Sequence, residues 1–167
     1  IETGEMEMSK ESFDVATLFQ EVHDSLELKA REKDVTLHLD VADELPTAYG
    51  DPNRLRRVLV NLTDNAIKYN EAGGTVTLRA RADATDQVEL SVADDGIGIP
   101  QEHVPRLTER FYRVDKSRSR NEGGTGLGLA IVKHILAAHD RSLPVESSPG
   151  EGSTFAFTLP TQPEPAL

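Results

Sequence analysis

The chain has no cysteine, which removes disulfides, thiolate metal sites and thiol redox chemistry together. It also lacks a long apolar run. Uncharged, apolar-leaning stretches such as Gly124 to Val132, which stops at Lys133, fall far short of the roughly 20 residues that span a bilayer. Positive charge is scarce: 18 Lys and Arg stand against 29 Asp and Glu, a net charge of −11. General nucleic-acid binding needs a cationic surface, and the charge argues against it. The N-terminus carries Glu2, Glu5 and Glu7, not the basic region and apolar stretch of a secretory signal. The first residue is Ile1 and not Met, so a segment of a longer protein is expected. The segment itself is expected in the cytoplasm, while the remaining parts could be membrane-bound.

The 167 residues, with 37% hydrophobic content, suffice for one cooperative core and one domain. Val15, Leu18, Phe19, Val22 and Leu26 recur at helical spacing, which predicts an amphipathic helix from about Asp14, its N-cap, to Glu32. Val35, Leu37, Leu39 and Val41 alternate with polar residues as in a half-buried strand. Asp51-Pro52 opens a second helix with Leu55, Val58, Leu59, Leu62 and Ala66 on one face, ending near Tyr69. Val76 to Ala82 and Val88 to Val92 read as a hairpin. Asp94 to Gly124 is irregular, with at most a turn or two of helix around Gln101 to Leu107, and so long a loop is usually functional or mobile. Leu127, Ala130, Ile131, Ile135 and Ala138 predict a third helix, and Val145 and Phe155, Phe157, Leu159 two closing strands. The expected fold is an α/β two-layer sandwich, a mixed five-stranded sheet with three helices on one face.

Four local features carry chemistry. On the second helix Asn61, Asn65 and Lys68 fall within about 60° of one another at roughly 100° per residue, and the apolar stripe centres about 105° away. The amides offer neutral oxygens to a hard cation such as Mg²⁺, and Lys68 offers a point charge to a phosphate. The strand ending at Val92 runs into Asp94-Asp95-Gly96-Ile97-Gly98-Ile99-Pro100. A carboxylate buried there would accept a hydrogen bond from adenine N6 and repel the guanine carbonyl, a selection of about 1 to 3 kcal/mol. Six basic residues, Arg106, Arg110, Arg113, Lys116, Arg118 and Arg120, crowd a segment with only Glu109 and Asp115 as acids. Gly123-Gly124-Thr125-Gly126-Leu127-Gly128-Leu129-Ala130 then feeds into a helix start, where free N–H groups favour phosphate oxygens. The chain has no Gly-Lys pair, and Leu129 takes the place of the last glycine of Gly-x-Gly-x-x-Gly, so neither a P-loop nor a dinucleotide-binding turn is present. Taken singly each feature has a plain structural reading: a solvated face, an Asp-Gly turn, a charged loop, a flexible hinge.

Their order is what carries a family. Asn61-Leu-Thr-Asp-Asn65-Ala-Ile-Lys68-Tyr69, Asp94-Asp-Gly96-Ile-Gly98-Ile-Pro, Arg110-Phe111-Tyr112-Arg113-Val-Asp-Lys, Gly124-Thr-Gly126-Leu-Gly128-Leu-Ala and Gly150-Glu-Gly152-Ser-Thr-Phe155 resemble the N, G1, F, G2 and G3 boxes of two-component sensor histidine kinases. The resemblance covers about residues 11 to 160 and closely matches the catalytic and ATP-binding domain of the phosphate-sensor-like subgroup. It implies the Bergerat fold shared with gyrase, Hsp90 and MutL, with ATP and Mg²⁺ as cofactors. By that resemblance Asn65 is the metal ligand, Asn61 and Lys68 line the phosphates, Tyr69 packs by the base and Asp94 reads adenine, with Gly96, Gly98 and Ile99 in the same turn. Tyr112 and Arg113 belong to an ATP lid, Arg113 reaching the terminal phosphate. Gly124, Thr125, Gly126, Leu127, Gly128 and Leu129 form the phosphate-side turn, and Thr154 lies near adenine. Asn61, Lys68 and Arg113 would be the catalytic set.

Two departures stand out. None of His23, His38, His103, His134 or His139 has the context of the phosphoacceptor. Residues 1–10 are therefore expected to be the remnant of a preceding dimerisation and acceptor hairpin or its linker, residues 11–160 the domain and residues 161–167 a frayed tail. Such a chain should not phosphorylate itself and should be monomeric. Secondly, His139-Asp140-Arg141 replaces the usual His-Gly-Gly, and Asp and Arg adopt left-handed backbone less readily than Gly. The expected reaction is γ-phosphoryl transfer to a histidine on the missing acceptor domain, then to a response regulator, in a parent anchored in the bacterial inner membrane. A hydrolysing ATPase of the same fold would carry Glu where this chain has Asn61, a poor base. A degenerate module that binds nucleotide only to regulate partners is the other alternative.

Overall fold

The computed structural model describes residues 8–83, 86–96, 128–141, 143, 145–148 and 152–162. Ten elements follow one another: β1 (Glu11–Phe13), α1 (Val15–Glu32), β2 (Thr36–Val41), β3 (Ala48–Gly50), α2 (Pro52–Lys68), β4 (Thr75–Asp83), β5 (Gln87–Asp94), α3 (Gly128–Ala138), β6 (Val145–Ser148) and β7 (Gly152–Pro160). The main sheet has the order β2-β4-β5-β7-β6. Only β2 and β4 run parallel; the other pairs are antiparallel. The expected mixed five-stranded sheet is thus the one observed. Among the described residues no helix is long and apolar enough to cross a membrane.

Both long helices begin where a side chain satisfies their free N–H groups. Asp14 accepts from the Thr17 N–H at 3.2 Å. Asp51 accepts from Asn53 and Arg54 at 3.1 and 3.2 Å, with Pro52 at the first helical position, where its missing N–H costs nothing. The core is one layer deep between helices and sheet. Leu18, Phe19, Val22 and Leu26 of α1 and Leu55, Val58, Leu59 and Leu62 of α2 pack on Val76, Leu78, Ala80, Val88, Leu90, Val92, Phe157 and Leu159. Sheet positions two apart share a face. The apolar column of β5 (Val88, Leu90, Val92) therefore ends at Asp94 on the helix-covered side, opposite Ser153 of β7.

Three differences from the sequence reading have physical causes. A two-stranded ribbon of β1 and β3 was not expected, because three-residue strands are too short to show alternation. In α3 the fully buried residues are Val132, Ile135 and Leu136, so the apolar stripe is rotated from the one expected through Ile131 and Ala138, which are only half-buried. The buried stripe continues to His139, seven residues after Val132 and 5% exposed. Beyond α3, Asp140 takes a left-handed conformation (φ 58°) and the Arg141 N–H reaches Leu136 O at 2.8 Å. Aspartate thus fills the backbone role of the usual glycine at this C-cap.

Candidate nucleotide site

Asn61, Asn65, Lys68 and Tyr69 stand half-buried along one side of α2. The last turn of that helix is tied down from α1, where the Lys33 ammonium donates to the Lys68 carbonyl. A cation at a helix C-terminus is favourable because the unpaired carbonyls there carry partial negative charge. Asp64, on the same polar side, accepts from Lys29 of α1 at 2.8 Å and faces Lys68 at 3.3 Å.

The end of β5 meets the end of α2. Asp94 accepts the Gly96 N–H at 2.9 Å, closing a short turn. A Cβ at Gly96 would stand 3.0 Å from Tyr69 O and 3.3 Å from Asn70 Cα, so glycine is what allows the Asp94 turn to lie against the end of the amide-bearing helix. Burial pushes the Asp94 carboxyl above the ordinary carboxylate range. The neighbouring Asp95 adds to this, and backbone hydrogen bonds from Gly96 and Ser153 oppose it. Asp95 is the reverse case. It accepts the Thr75 N–H at 2.8 Å and the Asn70 amide at 3.1 Å, and the Thr75 bond is the main reason its carboxyl lies below the ordinary range. The two adjacent carboxylates therefore differ in kind: Asp94 is desolvated and aimed at the helix side, while Asp95 is a structural clip.

Asn70 makes the junction. It is 1% exposed, donates to Thr75 O and Asp95 Oδ1, and accepts from the Glu71 N–H. The sequence offered one sign of it, an amide directly before Glu71-Ala72-Gly73-Gly74, where Asn is a common turn former. The register also assigns the residue across from Asp94. Ser153 faces it and is buried, whereas Thr154 pairs with Ala93 on the other face of the sheet. Extending the inward alternation of Phe155, Phe157 and Leu159 back by two residues reaches Ser153, not Thr154.

At the other end of α2, Asp51 is 4% exposed. Besides capping the helix, its Oδ2 accepts the Ser9 N–H at 2.9 Å, and its own N–H donates to His139 Nε2 at 3.1 Å. Because Nε2 accepts, the ring proton sits on Nδ1, which donates to Ile135 O at 2.9 Å. Burial lowers the proton affinity of His139 first, and Lys10 and Arg141 lower it further, against the Ile135 carbonyl and Asp51.

Gly98, Ile99, Tyr112, Arg113, Gly124, Thr125, Gly126 and Leu127 lie outside the described residues, as do the stretch Gln101 to Leu107 and the rest of the basic segment. Gly128 and Leu129 open α3. As for a metal, the donors on α2 fit Mg²⁺ carried in by a phosphate ligand. Asn65 and Asn61 present neutral amide oxygens, and Mg²⁺ characteristically takes few protein ligands and several phosphate or water oxygens.

A family model described as histidine kinase-, DNA gyrase B- and HSP90-like ATPase matches residues 50–163. The phosphate regulon sensor protein PhoR of Pseudomonas aeruginosa is 54% identical over 106 residues, 64% of this chain and 24% of its own length. Among solved structures, the mycobacterial sensor histidine kinase MprB is 30% identical with a TM-score of 0.70, the match covering 92% of this chain and 97% of that one. Full-length ShkA in complex with AMPPNP is 35% identical with a TM-score of 0.82, over 93% of this chain and 32% of that one. The chain spans about a quarter to a third of the length of the curated relatives it matches. Five motif boxes stand in order in the sequence, and with these matches the chain belongs to the histidine kinase-, DNA gyrase B- and HSP90-like ATPase family, as a catalytic and ATP-binding domain of the sensor histidine kinase type.

Proposed function

We propose that this domain binds Mg²⁺-ATP between the polar side of α2 and the Asp94 turn and delivers the γ-phosphoryl group to a histidine on an acceptor hairpin of the longer protein. The observation that carries the reading is the packing of Gly96 on Tyr69 O and Asn70 Cα, which sets a desolvated carboxylate beside the amide-bearing helix. Asp94 accepts from adenine N6, with Ser153 and not Thr154 beside it, and Tyr69 packs near the base. Asn61 and Lys68 face the phosphates, and Asn65 supplies the metal-binding amide. Mg²⁺, when bound, screens the phosphate charge. By the motif resemblance Arg113, Tyr112, Gly98, Ile99 and Gly124 to Leu129 would also take part in nucleotide binding. ShkA, structurally similar, was crystallised with AMPPNP, which supports an adenine nucleotide as ligand.

The chemistry asks mainly for position and charge neutralisation. The unprotonated imidazole nitrogen of the acceptor forms a bond to the γ-phosphorus. The bond from that phosphorus to the β,γ-bridging oxygen breaks, its electron pair leaves with ADP, and the other ring nitrogen releases its proton to water. Imidazole is its own nucleophile, so the domain needs no strong base, and Asn61 stands where a hydrolase would need Glu. Residues 1–10 would be the end of the chain leading from the hairpin, and residues 161–167 a tail. For the longer protein the same reading implies a response regulator as the next acceptor and an anchor in the bacterial inner membrane, with this segment monomeric.

The test is to mix the chain with a separately purified acceptor hairpin and γ-labelled ATP. Label on the hairpin histidine is the expected result. Label released as inorganic phosphate without the hairpin would replace the kinase reading with that of a hydrolase.

A further inference from the structure

Asp64 lies inside the amide-bearing motif, between Asn61 and Asn65, yet nothing in the chemistry above uses it. At 100° per residue it sits about 60° from Asn61 and about 40° from Lys68 around the axis of α2, on the same polar side. Its two oxygens are divided between two ammonium groups. Oδ1 accepts from Lys29 Nζ of α1 at 2.8 Å, and Oδ2 stands 3.3 Å from Lys68 Nζ one helical turn on. An acid four residues before a lysine is the favourable orientation on a helix.

Burial separates this group from an ordinary surface pair. Exposed ion pairs contribute little because water screens them. Here the Asp64 and Lys68 side chains are only 21% and 24% exposed, and only Lys29, at 51%, is mostly in solvent. The outer lysine therefore holds the carboxylate, and the carboxylate holds the inner lysine. Lys68 is restrained at its other end too, since Lys33 of α1 donates to its carbonyl. A lysine ammonium on a four-carbon stem has many rotamers. The first contact fixes the last turn of the helix, and the second, at Nζ, narrows the rotamers of the side chain before any phosphate arrives.

We propose that Asp64 is a positioning residue for Lys68, that Lys29 in turn orients Asp64, and that this chain of charges sets the domain's preference for a triphosphate over a diphosphate. The proposal rests on the nucleotide reading given above. The carboxylate has two opposed effects on a bound nucleotide: its charge repels every phosphate, while its hold on Lys68 serves the phosphate that Lys68 meets. Removing the charge therefore leaves ADP binding unchanged or slightly tighter and weakens the advantage of ATP.

Calorimetric titration of the chain with Mg²⁺-ATP and with Mg²⁺-ADP gives the ratio of the two dissociation constants, compared across wild type, Asp64→Asn, Lys68→Ala and the double variant. The expected result is a loss of about threefold or more in ATP preference for Asp64→Asn, and no further loss when the same change is made in Lys68→Ala, because a residue acting through another adds nothing once that other is gone. Lys29→Ala, at a mostly exposed position, should move the ratio in the same direction by less and serves if Asp64→Asn does not fold. Equal changes in ATP and ADP affinity, or an undiminished effect of Asp64→Asn in the Lys68→Ala background, would overturn the proposal. A wild-type chain that binds ATP but shows such results leaves the nucleotide reading standing; a folded wild-type chain that binds neither nucleotide removes both.

Discussion

Gly152 lies directly against the Asp94 carbonyl. A Cβ built on Gly152 would overlap Asp94 O and come within 2.8 Å of Asp95 Cα, and the residue has a φ of 100°. Two independent constraints, space and backbone conformation, thus require glycine beside the buried Asp94 turn. Gly152→Ala should destabilise the fold by about 1 to 3 kcal/mol from backbone strain alone, and should also displace the Asp94 turn. Chemical denaturation measures the first effect. Nucleotide titration of the fraction still folded measures the second, and an alanine variant with wild-type stability would contradict the stated contacts.

Asp94→Asn separates binding from stability. Burial raises the Asp94 proton affinity, so its favourable contribution to the fold is fullest below the ordinary carboxylate pKa and is lost as pH rises through the folded value. At neutral pH the neutral amide relieves that cost, and its oxygen can still accept from Gly96 and Ser153. Stability should hold or rise, while ATP affinity falls about tenfold or more through loss of a charged acceptor. A parallel loss of both would mean that Asp94 serves the fold and not the base.

Asn65→Ala tests the metal. Titration of ATP with Mg²⁺ and with EDTA should show Mg²⁺-dependent tightening in wild type and little of it in the variant. Retention of the full effect would move the ion elsewhere.

His139 provides a pH dependence. Its proton affinity is lowered in the fold, chiefly by burial, so the unfolded chain takes up a proton that the folded chain refuses. The sign follows: its contribution is present in full above the ordinary histidine pKa of 6.5 and is lost as pH falls through the folded value. Thermal unfolding at about pH 7.5 and about pH 5.5 should show a larger drop for wild type than for His139→Gln, which cannot titrate in that range. Equal drops would mean that the ring takes up its proton as readily in the fold as in the unfolded chain.

The helices and the sheet were legible because each buries one face, and burial writes a period of 3.6 or 2 into the sequence. The core of α1 from Val15 to Leu26 and the column Val88, Leu90, Val92 appear in the sequence as they do in space. Where polar residues enter the interior the pattern misleads. His139 belongs to the buried stripe of α3 but hides its phase, and the strand residue that pairs with Asp94 is Ser153, in phase with Phe155 and Phe157. The Asn70 clip and the Asp51 junction were not legible, because each depends on a partner far along the chain: Asp95 for one, Ser9 and His139 for the other. The motifs located the amide helix and the acidic turn. The contact between them, through Gly96, required the fold.

Asp51 has one consequence for how force travels through the molecule. Its carboxylate grips residue 9 with one oxygen and the first turn of α2 with the other. A pull on residue 9 reaches the amide-bearing helix after crossing a single side chain, while the main sheet is reached through the β1–β3 ribbon and through the helices packed on it. The helix that bears Asn61 and Asn65 is therefore mechanically nearer to the upstream chain than the sheet it rests on.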